Sequence, residues 1–587
     1  MVQRNAPDLS IARDVLAPVL GQLRAELGVP TDFPPEVHEQ VAAIVADWQA
    51  FLAAVQLPEP SQDLETLPDL AAVPDPGARL SPAAIPRLDG THIPLVTIDP
   101  EGSRDLDQAV HLTRLTDGQQ DGARYLVSYA IASLATFVQP GSPLDLEVRS
   151  RGLTLYFPDE STPLHPVELS HGAASLLPGQ LTPACLWQIR VGGDGKRLSA
   201  TVRRALVRSR AQLTYTAVQD ALDNGTALDA AVPADLPALL KEIGLLRVQR
   251  EAARGGVSLT VPEQEVVSSS SMDEGAATAL GASESSVADY RGANAADEGA
   301  AAAVQGEGAF ALAYRTPLLV EDWNAEISLM TGMSAAAKMR GMGVGVLRTV
   351  PPASDQALKK LRRVAKALKV EWPKEMGYPE LIRSLDPASP THAAFMLECT
   401  SLFRGSGYTV FGVEGEPPFP PEGSPETLHG AIAAEYAHAT APLRRLVDRW
   451  SSELCIAADE GRAPEQWVLD TLKEIPSDMG RAGQLSSKAD RGSTEAIEAL
   501  ILQGHEGDVM TGAIVDIAEG KPYGTVMISR PAVMGSVTNR NRGEQLPLGT
   551  VTDVRLSRAD VATRKVEFAW PADDTGEVPS ADGHSTS

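Results

Sequence analysis

Apolar residues recur at helical spacing near the N-terminus of the chain. Between residues 9 and 56 their positions predict two helices, the first ending at Gly28-Val29-Pro30 and the second beginning at Pro34-Pro35. We interpret residues 1–86 as a small helical N-terminal domain followed by a linker. A helix-turn-helix is one arrangement that this spacing allows.

The pattern changes at Ile93, where short β-rich runs begin. Residues 93–98 and 125–131 are typical of strands, and strands and helices then alternate up to about Ser209. The segments farther along the chain are mainly helical. This order of elements predicts an α+β body over residues 87–504, with most of its strands early.

The helical pattern stops after about Gly504. Four strand-like runs, punctuated by glycine and proline, follow within residues 505–570. Short, closely spaced strands in so small a segment predict a C-terminal β-barrel of the OB-fold size. The expected fold is therefore an α+β protein with a helical N-terminal domain, a large mixed body and a C-terminal barrel.

The net charge of −26 would by itself argue against a nucleic-acid-binding protein, because contacts to phosphates need lysine and arginine. The acid is unevenly distributed, however. Residues 268–309 carry seven acids and one base, and we interpret them as an acidic low-complexity insertion. Residues 571–587 are predicted to be a disordered acidic tail.

Basic residues are concentrated in three places: Arg203 to Arg210, residues 357–370, and Arg444 to Arg449. Residues 357–370 have apolar residues at helical spacing and predict a basic amphipathic helix. Each cluster could be no more than a solvated face. Three such clusters in an acidic chain also fit a path for a polyanion.

Two classes of protein are disfavoured by composition. The chain has no run of 18 uncharged apolar residues and no apolar run after its first basic residue, so we expect neither a membrane span nor a secretory leader. The three cysteines lie far apart and suit neither a disulfide framework nor a zinc site. We therefore expect a cytoplasmic protein.

Three aspartates follow a predicted strand within nine residues. Asp99 ends the β-rich run, and Asp105 and Asp107 come after a loop of proline, glycine and serine. If the backbone is extended there, Asp105 and Asp107 point to one side. Carboxylates converging on one loop suit Mg²⁺ or Mn²⁺. A loop with solvated aspartates is the alternative.

Three separated motifs resemble those of the ribonuclease II (RNB) family of processive 3′-to-5′ exoribonucleases. The first is Thr97-Ile98-Asp99 followed by Asp105-Leu106-Asp107-Gln108. The second comprises Pro140-Gly141-Ser142-Pro143-Leu144-Asp145, Arg151-Gly152, Tyr156-Phe157-Pro158 and Pro166-Val167-Glu168-Leu169-Ser170. The third is Tyr436 followed by Thr440-Ala441-Pro442-Leu443-Arg444-Arg445-Leu446-Val447-Asp448. The resemblance spans roughly residues 90–570 and implies an RNA-binding role for the C-terminal barrel.

The resemblance also implies roles for single residues. Asp99, Asp105 and Asp107 match metal-binding aspartates, and Asp107 matches the one most closely tied to the chemistry. Arg444 matches an arginine that contacts phosphate, for which a guanidinium is well suited. Tyr156 matches a tyrosine that holds the terminal nucleotide. Arg445 could be a second phosphate clamp or a supporting salt bridge.

Several positions depart from the family pattern. The fourth metal-binding aspartate is replaced by Gln108, which is neutral and a weaker ligand for Mg²⁺. A glutamate near the end of the catalytic domain, which would contact RNA, corresponds to Asp490. A serine has become Ala441, an aromatic residue has become Val447, and a helical segment stands where the family has cold-shock barrels.

The resemblance leads to two hypotheses of different classes. The first is a hydrolytic exoribonuclease that uses Mg²⁺, or alternatively Mn²⁺, and degrades single-stranded RNA to nucleoside 5′-monophosphates and a short end product. It would act as a monomer without a membrane partner. The second is a catalytically silent RNA-binding relative, in which Gln108 marks the decay of the site.

Overall fold

A computed structural model describes residues 11–116, 121–257, 263–268, 309–315, 317–386, 389–403, 405–518, 520–528, 531–541 and 544–572. Most of the predicted acidic insertion, residues 269–308, lies outside the described residues. Residues 573–587 of the predicted acidic tail lie outside them as well.

Helices and strands are distributed along the chain as a mixed α/β arrangement. The helices are α1 (Arg13–Leu27), α2 (Pro35–Ala54), α3 (Pro143–Arg151), α4 (Tyr215–Asp223), α5 (Leu236–Arg254), α6 (Leu319–Met342), α7 (Asp355–Ala367), α8 (Tyr378–Arg383), α9 (Pro390–Cys399), α10 (Val447–Asp459), α11 (Gln466–Thr471) and α12 (Ile475–Leu502). The basic segment predicted as a helix forms α7, which buries Leu361 and Ala365 on its apolar face.

The strands of the first two thirds of the chain fall mainly before residue 215. They are β1 (Ile11–Ala12), β2 (Leu88–Asp89), β3 (Leu95–Asp99), β4 (Gln108–Arg114), β5 (Ala123–Ala132), β6 (Leu155–Tyr156), β7 (Ser161–Thr162), β8 (Leu181–Gly192), β9 (Arg197–Thr214), β10 (Glu263–Ser268) and β11 (Ala309–Arg315). The later strands are β12 (Gly345–Thr349), β13 (Gly407–Phe411), β14 (Leu428–His429), β15 (Ala434–Glu435), β16 (Val509–Ile517), β17 (Tyr523–Ile528), β18 (Val533–Asn539), β19 (Val551–Asp560) and β20 (Lys565–Trp570).

The central sheet has the order β2-β9-β3-β4-β5-β8. The long strand β9 pairs with β8 between Arg197 and Arg208 and with β3 between Ser209 and Thr214. The sheet therefore closes on itself, and Tyr129 and Trp187 belong to a large apolar core that the sheet shares with helices such as α2 and α6. This packing fixes the strand ends that carry the candidate site.

The two N-terminal helices bury their apolar faces in different places. Leu16, Leu20 and Leu23 of α1 join a cluster with α12 and the C-terminal barrel. Trp48 and Phe51 of α2 join the core of the central body, where Trp48 meets Phe137. The two helices thus connect separate parts of the molecule, while the proposed domain boundary at residue 86 stays a prediction.

The acidic stretch after α2, which we expected to be a solvated linker, lies against the body. Leu67 and Leu70 within it are buried. The Glu65 carboxylate accepts hydrogen bonds from Arg190 of β8. Apolar anchors in a segment of low hydrophobicity are enough to hold it on the sheet.

Strands β16 to β20 form a closed five-stranded barrel in the order β16-β17-β18-β20-β19. This confirms the barrel predicted for residues 505–570. Val526, Val554 and Phe568 are among its buried residues, and they share an apolar cluster with α1 and α12.

The contact between α5 and α6 leads to a prediction about stability. A β-carbon at Gly244 would lie 2.3 Å from Cβ of Trp323, whereas one at the exposed Gly480 of α12 would meet nothing within 4 Å. Gly244→Ala should lower the free energy of unfolding by about 1–3 kcal/mol through overpacking. Gly480→Ala is the matched control and should be neutral or stabilising by up to about 1 kcal/mol. Urea unfolding measures both, and equal midpoints would contradict the predicted clash.

Candidate active site

The candidate site lies where β3 ends and β4 begins. These strands are antiparallel, and Val96 pairs with Val110. Extending this register by three residues sets Asp99 opposite Asp107. The loop between them is fixed by Ser175, whose hydroxyl donates to the Arg104 carbonyl and accepts from the Leu106 backbone N–H.

Asp107 is the most tightly held of the predicted aspartates. Its carboxylate Oδ1 accepts a hydrogen bond of 2.7 Å from the Leu443 backbone N–H, and its Oδ2 lies 3.3 Å from Nε of Arg444. The side chain is almost fully buried. Burial raises the pKa of Asp107 to about 8, although Arg444 and the Leu443 N–H act in the opposite direction.

Asp99 and Asp105 lie beside it and interact electrostatically with each other and with Arg444. The Oδ2 atom of Asp99 is buried and has no hydrogen-bond partner among the described residues. Burial raises the pKa of Asp99 to about 6. Asp105 is half-buried and accepts a hydrogen bond of 2.8 Å from the Tyr156 hydroxyl.

This donor set fits a hard divalent cation in its chemistry. One carboxylate oxygen of Asp99 is unpaired in the described part of the chain, and burial disfavours the charged form of both Asp99 and Asp107. A bound cation would pair with that oxygen and stabilise the charged carboxylates. Within the described residues, however, no group of three or more His, Cys, Asp or Glu side chains is arranged to hold a metal ion. The site therefore has the ligand chemistry without an assembled three-carboxylate shell.

Gln108, the predicted fourth ligand, is engaged at both ends of its amide. Its Nε2 donates to the Thr440 carbonyl at 2.6 Å, and its Oε1 accepts from the Tyr129 hydroxyl at 2.5 Å. A carbonyl oxygen can only accept, so the orientation of the amide is fixed. The structure thus places Gln108 as a link between β4 and the loop that carries Arg444.

The two adjacent arginines have different surroundings. The Arg444 side chain is half-exposed beside Asp107, as expected for a group that meets substrate phosphate. Arg445 instead donates through Nε and Nη2 to the buried Asp448 carboxylate at 3.1 and 2.9 Å. Of the two alternatives for Arg445, the geometry favours the supporting salt bridge over the phosphate clamp.

Tyr156 and Asp490 are placed differently as well. Tyr156 is half-exposed at the edge of the carboxylate group, where an aromatic ring is accessible to a base. Asp490 lies on the exposed side of α12, and its carboxylate accepts a hydrogen bond of 3.4 Å from Ser486 of the same helix. The contacts above bring together Asp99, Asp105, Asp107, Tyr156 and Arg444, and the RNA-binding role of Asp490 stays a prediction.

The sequence analysis missed a polar layer behind the aspartates. The buried Tyr129 hydroxyl holds Gln108, and the Ser328 hydroxyl of α6 bonds the Thr440 hydroxyl at 2.8 Å. Tyr215, which begins α4, interacts with Asp99 and accepts a hydrogen bond from Asn324. A tyrosine within the alternating run of β5 was the one available signal, since a buried hydroxyl needs a partner.

In two of the predicted basic clusters, some arginines form buried ion pairs within the protein. Arg204 is buried in an ion pair with Glu453, and Arg449 donates to the buried Asp145 at 2.8 Å. Arg203 and Arg210 are exposed, as are several bases of α7: Lys359, Arg362, Arg363 and Lys366. The surface available to a polyanion is therefore smaller than the sequence predicted and lies largely on α7. That helix shares an apolar cluster with Ala513 and Val515 of the barrel.

The engagement of Gln108 leads to a second prediction. Gln108→Glu keeps the shape but replaces the donor to the Thr440 carbonyl with a carboxylate oxygen. The ionised variant should lose about 1–3 kcal/mol of unfolding free energy. Protonation restores a donor, so the folded state raises the pKa of the new carboxyl and the loss should shrink as the pH falls.

Urea unfolding between pH 5 and pH 8 measures this effect. Gln356→Glu, at an exposed position on α7, is the matched control and should show almost no pH-dependent difference from the wild type. If Gln108→Glu changes the free energy of unfolding no more than the control does at either pH, the Gln108 amide does not hold β4 and the Thr440 loop together.

Comparison with known proteins places this geometry in a family. Residues 87–451 match the RNB domain, and residues 508–570 match the RNase II-type exonuclease C-terminal S1 domain. Ribonuclease R of Escherichia coli is 25% identical over 520 residues, which cover 82% of this chain and 57% of that protein. Exoribonuclease 2 of Vibrio parahaemolyticus is 32% identical over 155 residues, or 26% of this chain and 22% of that one.

Solved structures show the same fold. The apo form of Mycoplasma genitalium RNase R matches with a TM-score of 0.71 at 16% identity, over 94% of this chain and 77% of that one. Yeast Ssd1, a pseudonuclease, matches with a TM-score of 0.54 at 14% identity, over 78% of this chain and 50% of that one. Since the RNB match covers more than half of the length of this chain, the chain belongs to the RNB family.

Proposed function

We propose that the protein is a metal-dependent, hydrolytic 3′-to-5′ exoribonuclease that degrades single-stranded RNA processively to nucleoside 5′-monophosphates and a short end product. The observation that carries this proposal is the placement of Asp107. Its carboxylate is buried and fixed by Leu443, faces Arg444, and lies beside Asp99 and Asp105. The similarity to ribonuclease R and exoribonuclease 2 supports it.

In this proposal, different residues have different roles in the hydrolysis. Asp99 and Asp105 would hold a divalent cation, Mg²⁺ or Mn²⁺, which when bound stabilises charge on the phosphoryl oxygens. Arg444 binds a phosphate oxygen of the terminal linkage, and Tyr156 stacks on the terminal base. Asp107 accepts the proton of the attacking water. The phosphorus gains the water oxygen, and its bond to the 3′-oxygen of the preceding nucleotide breaks. That oxygen takes a proton from solvent, which leaves a 3′-hydroxyl on the shortened RNA and a free nucleoside 5′-monophosphate.

The RNA would reach this site along the barrel. The exposed bases of α7 lie on a helix that shares an apolar cluster with β16, and they would provide phosphate contacts without sequence preference. Within the described residues, no helix has the length and apolar character to cross a bilayer. We propose single-stranded RNA as the substrate and a monomer as the working form.

One observation favours a second candidate, a catalytically silent RNA-binding relative. Gln108 replaces a metal-binding aspartate, and its amide is taken up by Thr440 and Tyr129. The fold also resembles a protein described as a pseudonuclease. Against this, Asp99, Asp105, Asp107 and Arg444 are all present and grouped.

Asp107→Asn separates the two candidates. On the first, degradation should fall by about 10²–10⁴-fold, the range expected for losing a group that moves a proton. RNA affinity should persist. The assay incubates 5′-labelled single-stranded RNA with Mg²⁺, Mn²⁺ or EDTA and resolves the products at nucleotide resolution.

The control for this assay is Asp69→Asn, at an exposed acid outside the site, which should degrade RNA like the wild type. A metal-dependent ladder from the wild type, lost in Asp107→Asn, supports the nuclease. Intact RNA in every lane, together with a gel shift for both proteins, supports the silent relative.

The position of Tyr156 depends on the N-terminal helix. Arg24 of α1 donates through Nη1 and Nη2 to Asp159, each at 2.8 Å, and its guanidinium lies 5.0 Å from the ring centre of Phe157. Asp159 lies between β6 and β7, three residues after Tyr156. Both partners of this ion pair are largely buried, which makes it stiffer than a surface pair.

Arg24→Ala should therefore weaken binding of the RNA 3′ end more than it slows the chemical step. We expect KM to rise about tenfold, the scale of one charge-assisted hydrogen-bond pair, with kcat changed less than KM. Arg79→Ala, which removes the more exposed Arg79–Asp47 pair, is the control. A charge swap combining Arg24→Asp and Asp159→Arg should recover part of the loss, and the prediction fails if Arg24→Ala leaves KM at the control value.

A further inference from the structure

A basic cavity of about 400 Å³ lies between α5, α6 and the turn that joins β8 to β9. Five of its lining side chains are cationic, and they come from two elements far apart in the sequence. Its lining is Lys196, Arg197, Arg247, Arg250, Ala253, Arg254 and Met333. A concave concentration of positive charge is unexpected in a chain whose net charge is −26.

This basic cavity faces away from the candidate active site. Glu326 and Met333 of α6 are seven residues apart and therefore share one face of the helix, the face toward the cavity. Ser328 and Gly332, which contact Thr440 and Tyr436, lie on roughly the opposite face. The helix α6 thus separates the cavity from the aspartates.

The guanidinium groups are held in place by the backbone. Nη1 of Arg247 donates to the Gly195 carbonyl at 2.9 Å, and Nε of Arg254 donates to the Ile432 carbonyl at 2.7 Å. Arg247, Arg250 and Arg254 lie on one face of α5 because of their spacing of three and four residues. The cavity therefore has a preformed arrangement of donors.

Within the described part of the chain, two of these donors have no acceptor. Arg247 is 4% exposed, yet its Nε has no hydrogen-bond partner, and neither has the buried Nη2 of Arg254. The nearest carboxylate to Arg247 Nε is Oε2 of Glu326, at 3.7 Å, which is beyond hydrogen-bond distance. A buried charged donor without an acceptor is costly, and a bound anion would remove this cost.

The surrounding charges leave the cavity positive. Arg197, Arg250 and Arg254 each act to lower the pKa of Arg247, which burial brings to about 10. The acids that interact with the lining are Asp194, Glu251, Glu326 and Glu422, and burial raises the pKa of Glu326 to about 7. Among the residues that the structure describes, five bases therefore face four acids.

We propose that this cavity is a second site that binds a phosphate group, separate from the site of cleavage. Arginine forks match the oxygens of phosphate in two-point contacts, and the cavity volume lies in the range of small-ligand sites. The phosphate could belong to a free nucleoside monophosphate or to the RNA backbone. The proposal goes beyond the nuclease function and does not require RNA cleavage.

Calorimetric titration of the full-length protein tests the site directly. The probes are inorganic phosphate and adenosine 5′-monophosphate, each titrated in EDTA so that no metal-dependent binding at the aspartates contributes. Arg250→Glu reverses a charge at a half-exposed position on the rim, where the fold tolerates substitution. Lys241→Glu is the matched control, because it makes the same charge change on the opposite, exposed face of α5.

The wild type and Lys241→Glu should bind a probe alike, and Arg250→Glu should bind it at least about tenfold more weakly, as expected for reversing one charge in a desolvated cluster. The source of the phosphate is then decided with single-stranded RNAs of 5 and 20 nucleotides. If Arg250→Glu weakens the longer RNA alone, the site takes backbone phosphate. If it weakens the monophosphate and neither RNA, the site takes free nucleotide.

Two results would overturn the proposal. In the first, Arg250→Glu binds every probe as tightly as Lys241→Glu does. In the second, the wild type binds none of the probes. Degradation of short RNA by Arg250→Glu at the wild-type rate, measured in parallel with Mg²⁺, keeps this result distinct from a failure of the nuclease proposal.

Discussion

The Asp107 carboxylate is the group on which the organisation of the site depends. It accepts a hydrogen bond from the Leu443 backbone N–H, a residue 336 positions away in the sequence, and it faces the adjacent Arg444. A single buried carboxylate thereby joins the sheet to the loop that carries Arg444, the arginine proposed to contact phosphate. Burying a charge is favourable only when donors surround it, and here the donors are supplied by the loop itself. The position of Arg444 relative to the aspartates is therefore set by the same contact that joins the sheet to the loop.

A polar layer behind the aspartates limits how far they can move. Gln108 is fixed by the Thr440 carbonyl and the Tyr129 hydroxyl, and Thr440 is fixed in turn by Ser328 of α6. An aspartate at position 108 would present an oxygen toward the Thr440 carbonyl, where this chain presents an amide N–H. The residues around position 108 therefore suit a glutamine better than the aspartate of the family pattern. These contacts favour a role for Gln108 in supporting the neighbouring aspartates over that of a lost metal ligand.

Local patterns were sufficient to predict the architecture and the nearby members of the site. Asp99 and Asp107 could be predicted because a strand, a short loop and a second strand bring them together through contacts close in sequence. Arg444 and Tyr156 needed the family resemblance, since nothing local relates residues so far apart. The salt bridge of Arg445 with Asp448 and the pairing of Arg204 with Glu453 could not be predicted, because a basic run looks the same whether its partners are water, RNA or a buried acid. Those partners are set by tertiary packing alone.

The role of the N-terminal helices follows from where their apolar faces lie. The helix α1 packs on α12 and the barrel, and its Arg24 reaches Asp159 beside the strand of Tyr156. A helix at this place thus contacts both the C-terminal barrel and the turn that follows Tyr156, the residue proposed to hold the RNA end. The ion pair of Arg24 is largely buried and reinforced by the Phe157 ring, so its strength depends little on salt. The phosphate contacts along α7 are exposed and would weaken as salt increases. On the proposed function, capture of RNA along the barrel and positioning of its end at the aspartates would therefore rest on interactions that respond differently to ionic strength.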